Sequence, residues 1–307
     1  MFQMKQLSVV IPVYNEEGNI PELYRRLTKT LKKFSSYELI FVNDGSKDDS
    51  FKVLENLSQD KSVKIISFSR NFGHMAAIDA GIANATGEKV VIIDADLQDP
   101  PEAILEMMKK AKEGFDVVYG VKQKRKEDAL RKYLFKSFYQ LLNKLSNYKM
   151  PENAGTFCLM DKKIISILKN LPERNKYFSG LRAWTGFKQT GIVYERDARY
   201  SGKPASFQRL FKLAFDGIFS FSYFPLKLAS ILGFVFAIFS FLFIVVVGIL
   251  RLFLGFGIVG WASLMSTFLF IGGIQLITLG IIGEYLARIY DEVKNRPEYI
   301  ISSKTNL

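Results

Sequence analysis

At 307 residues the chain is long enough for one sizeable soluble domain and a smaller second part. Its formal net charge of +12 suits phosphorylated substrates or anionic lipid. No nucleic-acid motif accompanies the scattered basic residues, so nucleic acid is not expected as a partner. One histidine excludes His-based triads and multi-histidine metal sites, and one cysteine, Cys158, excludes an internal disulfide and fits a reducing compartment.

The N-terminus leads from Met1-Phe2-Gln3-Met4-Lys5 straight into a strand-like run, without the apolar core of a cleaved signal peptide. Strands are expected over residues 7 to 13, 37 to 42, 63 to 68, 89 to 93 and 116 to 120. Helical patterns over 20 to 34, 49 to 57, 75 to 85 and 101 to 112 separate them. Apolar strands alternating with helices predict an α/β fold with a doubly wound, mostly parallel sheet. Ligands of such sheets bind beyond the carboxyl ends of the strands. Tyr14-Asn15-Glu16, Asp44-Gly45-Ser46 and Asp94-Ala95-Asp96 all follow strands at that rim. A long basic amphipathic helix is expected over 127 to 147 and a short strand over 191 to 194.

The C-terminal third changes character. Residues 228 to 250 and 252 to 283 carry no charge, and each run exceeds the roughly 20 helical residues that cross a bilayer. Arg251 and Gly255-Phe256-Gly257 read as the turn between two spans. Arg209, Lys212 and Lys227 precede the first span, and Arg288, Lys294 and Arg296 follow the second. The positive-inside bias makes that side cytoplasmic, with both termini on it. Phe207, Leu210, Phe211, Phe215, Ile218 and Phe219 form an apolar stripe suited to an interfacial helix. The expected division is a cytoplasmic catalytic domain over 1–205, an interfacial helix over 206–225, a transmembrane hairpin over 226–289 and a cytoplasmic tail over 290–307. Gly272-Gly273 and Gly280 offer small-residue faces for a homo-oligomer, a dimer or a tetramer.

The chemistry centres on Asp94 and Asp96. Their i, i+2 spacing at a strand end puts two hard oxygen ligands on one side, a pattern suited to Mg²⁺ or Mn²⁺ beside a nucleotide diphosphate. Asp44 can accept a hydrogen bond from a base edge or cap its own turn. Tyr14 can stack on a base; Asn15 and Glu16 can contact ribose or cap the first helix. Arg70, in Arg70-Asn71-Phe72-Gly73, can meet a phosphate. His74 reads as the residue that starts a helix.

Val10-Ile11-Pro12-Val13-Tyr14-Asn15-Glu16-Glu17, Val42-Asn43-Asp44-Gly45-Ser46, Arg70-Asn71-Phe72-Gly73, Gly81 and Asp94-Ala95-Asp96-Leu97-Gln98-Asp99-Pro100-Pro101-Glu102 resemble family 2 glycosyltransferases of the GT-A fold. With two C-terminal spans, the whole chain resembles the polyprenyl-phosphate glycosyltransferases: the bactoprenol glucosyltransferases and, more distantly, the dolichol-phosphate mannose synthases. The resemblance implies a GT-A, Rossmann-like sheet and inverting transfer of a hexose, glucose from UDP-glucose, to polyprenyl (undecaprenyl) phosphate. That transfer takes place at the cytoplasmic face of the inner membrane, for cell-envelope glycosylation. It implies a nucleotide-sugar site of Pro12, Tyr14, Asn15, Glu16, Asp44, Ser46, Arg70, Asp94, Ala95, Asp96 and Gln98, with Asp94 and Asp96 as metal ligands.

Two departures from the family pattern stand out. Asn153-Ala154-Gly155-Thr156-Phe157 has Thr156 where an Asp is usual, so Thr156 occupies a catalytic position without an acid. Arg199-Tyr200-Ser201-Gly202-Lys203-Pro204-Ala205 keeps Arg and Gly and loses Ser-Lys, and Arg199 and Lys203 are assigned to the acceptor phosphate. A phosphate acceptor, with a second pKa near ~6, is mostly dianionic at neutral pH and attacks without a general base. Three other readings compete: the same chemistry with another nucleotide sugar, a processive polysaccharide synthase, and a membrane-anchored nucleotide-sugar-binding scaffold that has lost its chemistry. Gly180-Leu181-Arg182-Ala183-Trp184 lacks the Gln-led motif of the synthases, and two spans are too few for a polymer channel.

Overall fold

A computed structural model describes residues 5–122, 154–171, 173, 178–195, 224–254 and 260–307. The expected basic helix over 127 to 147, the interfacial helix up to residue 223, Asn153, Arg199, Lys203 and the turn at Gly255-Phe256-Gly257 lie outside the described residues. The chain divides into two compact units, one of Met1–Gly217 with Arg296–Leu307 and one of Ile218–Asn295.

In the first unit the strands are β1 (Leu7–Val13), β2 (Tyr37–Asn43), β3 (Val63–Phe68), β4 (Lys89–Ile92), β5 (Val117–Lys122), β6 (Ala154–Asp161), β7 (Gln189–Tyr194) and β8 (Ile301–Thr305). They form one sheet in the order β7-β5-β6-β4-β1-β2-β3-β8. The pairs β1–β2, β1–β4, β2–β3 and β5–β7 are parallel, as the alternation of strands and helices predicts. β6 runs antiparallel to β4 and β5, and β8 antiparallel to β3. Neither antiparallel strand was expected from the sequence. Residues 154–161 read there as a motif, and 301–305, Ile-Ser-Ser-Lys-Thr, are too polar to announce a strand. β3 supplies the reason for β8: its free edge needs partners for its N–H and C=O groups.

The helices are α1 (Ile20–Leu31), α2 (Ser50–Leu57), α3 (His74–Asn84), α4 (Ala103–Lys112), α5 (Lys162–Lys169) and α6 (Phe178–Trp184). Every residue of β1 is buried, as a strand covered on both faces must be. On one face Leu7, Val9, Ile11 and Val13 pack with Leu23, Leu27 and Leu31 of α1 and Ile104 and Met107 of α4. On the other, α3 crosses β1 and β2. It approaches so closely that a Cβ at Gly81 would stand 2.2 Å from Val10 Cγ1. This contact fixes where the first turn of α3 meets the sheet rim.

The second unit holds α7 (Phe224–Leu254) and α8 (Trp261–Lys294). Within them Pro225–Phe243 and Phe270–Lys294 are long and apolar enough to cross a membrane. A core helix of a soluble protein would bury its large apolar side chains. Here Phe234, Leu252, Phe268 and Leu276 are 69–83% exposed, as in helices that expose apolar side chains to a membrane or a partner.

Candidate active site at the carboxyl rim of the sheet

Pro12, Val13, Tyr14, Glu16, Asp44, Asn71, Gly73, His74, Ala77, Asp94, Ala95 and Asp96 line one cavity of about 430 Å³ beyond the ends of β1, β2 and β4. That volume suits a nucleotide-sized ligand. The parallel strands deliver it: each ends at the same rim, and each following loop contributes polar residues.

The β1 and β2 loops are sewn together by their own polar atoms. Asn15, at φ 55°, accepts from Lys47 N through Oδ1 at 2.8 Å, and its N donates to Ser46 Oγ at 3.1 Å. Glu16 N donates to Ser50 Oγ at 2.9 Å. Asn15 therefore joins two loops, and the residue flanking the start of α1 is Asn19. Gly45 passes directly beneath the β3 loop, where a Cβ would stand 2.4 Å from Arg70 C, and its φ of +61° is one that side chains resist.

Asp44 does not cap its own turn. Asn43 does so, with Oδ1 accepting from Ser46 N at 3.1 Å. Asp44 instead crosses to the β3–α3 loop. Oδ1 accepts from Phe72 N at 2.6 Å and Gly73 N at 3.2 Å, and Oδ2 from Gly73 N at 3.0 Å. A carboxylate at the N-terminus of α3 complements the helix dipole. Asp44 is only 3% exposed, and burial pushes its pKa up against the pull of those two N–H groups.

Asp94 and Asp96 follow β4 and face the cavity. Asp96 Oδ1 accepts from Gln98 N at 3.2 Å, which holds the loop through Leu97 at φ 58°. Asp94 lies 3.3 Å from His74 Nε2 through Oδ1, and Thr156 Oγ1 stands 3.5 Å and 3.4 Å from its two oxygens. Behind the loop, buried Asp99 accepts from Tyr194 Oη, tying it to β7.

The cavity gathers Pro12, Tyr14, Glu16, Asp44, Asp94, Ala95 and Asp96 of the expected site. Asn15, Ser46, Arg70 and Gln98 are not among its lining residues. Arg70 folds over the Phe72 ring at 4.0 Å and donates to Asn71 O at 3.1 Å. His74 starts α3 as expected, but its ring also reaches the site, which a helix pattern cannot signal. Arg182, fully buried, was read only as part of a missing synthase motif. Its Nη1 donates to Gly155 O at 3.0 Å, bracing β6 beside Thr156.

Comparison with known proteins agrees with this geometry. The model of the family described as Glycosyl transferase family 2 matches residues 8–168. An uncharacterized glycosyltransferase, YkcC, of Bacillus subtilis is 49% identical over 96% of this chain and 93% of its own length. The SfII prophage-derived bactoprenol glucosyl transferase of Shigella flexneri is 40% identical over 96% of this chain and 97% of its own. A crystal structure of glucosyl-3-phosphoglycerate synthase from Mycobacterium tuberculosis, in complex with Mn²⁺, uridine-diphosphate-glucose and phosphoglyceric acid, has a TM-score of 0.47 and 18% identity over 70% of this chain and 78% of that one. With the family model spanning the sheet from β1 into α5 and relatives matching nearly end to end, the chain belongs to glycosyl transferase family 2, and its mixed α/β sheet is of the GT-A type.

Proposed function

We propose that the protein transfers glucose, with inversion, from UDP-glucose to a polyprenyl phosphate at the cytoplasmic face of the plasma membrane. The observation that carries this reading is one cavity at the carboxyl rim lined by Tyr14, Asp44, Asp94 and Asp96. The 40% identity to a bactoprenol glucosyl transferase along nearly the whole chain supports glucose and a lipid-phosphate acceptor.

Each residue has a part in the chemistry. Tyr14, 40% exposed, offers a ring face for base stacking. Asp44 presents carboxylate lone pairs to a uracil N–H. Asp94 and Asp96 would hold Mg²⁺ or Mn²⁺, and the donor set fits such an ion: two hard carboxylates on one rim. Two carboxylates fill only part of the shell of a six-coordinate ion, and diphosphate oxygens and water would take the other positions. When bound, the ion offsets charge on the departing diphosphate. Thr156 has no carboxylate to act as base, and a dianionic phosphate acceptor needs none. Arg199 and Lys203 are assigned to that acceptor phosphate.

Chain connectivity supports the membrane reading. The chain enters the helical unit from the catalytic domain and returns to it, where β8 pairs with β3. Both ends of a two-helix hairpin then lie on one side, and Lys227, Arg288, Lys294 and Arg296 flanking it make that side cytoplasmic. The test is incubation of the full-length protein with radiolabelled UDP-glucose, polyprenyl phosphate and Mg²⁺ or Mn²⁺. An organic-extractable labelled lipid is expected. Label in a polymer, or nucleotide binding without product, would overturn the reading, and a panel of other nucleotide sugars checks the donor.

A further inference from the structure

Asp94 is held from outside its own loop. Its carboxylate meets two side chains brought from separate parts of the fold. His74, the first residue of α3, places Nε2 3.3 Å from Oδ1. Thr156, on β6, places its hydroxyl 3.5 Å from Oδ1 and 3.4 Å from Oδ2. Both groups are themselves anchored. Gly73, just before His74, donates its N–H to Asp44, and α3 is seated on β1 at Gly81. Thr156 follows Gly155, whose carbonyl accepts from Arg182 Nη1 at 3.0 Å and Ser179 Oγ at 3.4 Å.

A carboxylate on a loop can rotate about its own bonds, and each freely populated rotamer dilutes the one that faces a ligand. Polar contacts on two sides restrict that freedom while Asp94 still lines the cavity. Groups of this kind, one layer behind a ligating carboxylate, commonly set cation affinity. An imidazole with its proton on Nε2 has an N–H on the side that meets Asp94.

We infer that His74 and Thr156 are positioning residues that clamp Asp94 for the divalent ion of the nucleotide diphosphate. This rests on the proposed metal-dependent reading. It also gives Thr156 a role: an Asp there would set a second carboxylate against Asp94, whereas the hydroxyl supplies a donor.

The test measures Mn²⁺ binding to the full-length protein with UDP, from the loss of the free-ion electron paramagnetic resonance signal. His74→Ala and Thr156→Val should each weaken Mn²⁺ binding about 10-fold or more. His74→Gln and Thr156→Ser, which keep a donor, should stay within about threefold of the parent protein. In the transfer assay the two disruptive variants should raise the Mn²⁺ concentration for half-maximal rate, while kcat recovers in excess Mn²⁺. A loss of affinity that Gln and Ser fail to rescue, or a kcat that excess Mn²⁺ does not restore, overturns the clamp. Unchanged Mn²⁺ affinity in both disruptive variants overturns it too, leaving the metal reading intact. A parent protein that retains no Mn²⁺ with UDP overturns the metal reading and the clamp together.

Discussion

Glu38 and Asp44 stand at opposite ends of β2, and the fold surrounds the two carboxylates differently. Glu38, 1% exposed at the amino end, accepts from Ser8 Oγ at 2.5 Å, Thr86 N at 2.8 Å and Thr86 Oγ1 at 3.0 Å, and pairs with Lys64 Nζ at 2.7 Å. Burial pushes its pKa up, but Lys64, then Ser8 and Thr86, outweigh burial and hold it below the usual value. Asp44, at the carboxyl end, is nearly as buried, yet burial there outweighs its two backbone donors and the pKa is raised. One carboxylate is satisfied by a counter-ion and closes the bottom of the sheet. The other meets no paired lysine or arginine among the described residues and faces a cavity. A parallel sheet thus separates a rim built for stability from a rim built for binding.

Three substitutions break or sharpen this contrast. The largest effect is expected from Asp96→Ala at the binding rim. Transfer should fall about 10²–10³-fold, roughly 3–4 kcal/mol of transition-state stabilisation, with the melting temperature within about 1 °C of the parent's. Initial rates of lipid-linked glucose formation and a thermal melt check both; a large drop in melting temperature would make Asp96 a structural residue.

Next comes Glu38→Gln. Its amide would turn a donor toward Lys64 or Thr86 and leave a half-buried amine without its counter-ion. A loss of about 3 kcal/mol is expected in denaturant unfolding, with activity per folded molecule unchanged. Because the folded pKa of Glu38 is lowered, its contribution is fully present above the ordinary value of 4.5 and is lost as pH falls through the native value. The gap between parent and variant should therefore close on acidification. A gap that does not vary with pH would assign the loss to packing instead.

Asp44→Asn should give the smallest change and the opposite sign in stability. Its raised folded pKa means that its favourable contribution is present below the ordinary value of 3.8 and lost as pH rises. At neutral pH the variant should melt no lower than the parent, while UDP binding measured by calorimetry weakens about 10-fold, near 1.4 kcal/mol. Lower melting with intact UDP binding would reduce Asp44 to a loop tie.

Much of this was legible residue by residue. The run Leu7–Val13 announces a strand buried on both faces, and the observed bounds of β1 coincide with the expected ones. The i, i+2 carboxylates that follow β4 face one cavity, though a turn rather than the expected extended backbone brings them there. The charge-free runs announce the two helices that are long and apolar enough to cross a membrane. Such signals are local: period, spacing and an uninterrupted apolar stretch are written in neighbouring residues. Other features have no local signature. β6 pairs antiparallel between β4 and β5, and β8 joins β3 across more than half the chain. Asn43, not Asp44, closes its turn because the β3–α3 loop offers Asp44 two N–H groups. The meeting of His74, Asp94 and Thr156 exists only because α3 lies on β1 and β6 lies beside β4. From the sequence alone come the alternating strands and helices of residues 7–120, the metal-suited pair and the membrane-length helices. Which distant side chains touch was decided by strand order and helix docking, since those contacts form only after the intervening chain has packed.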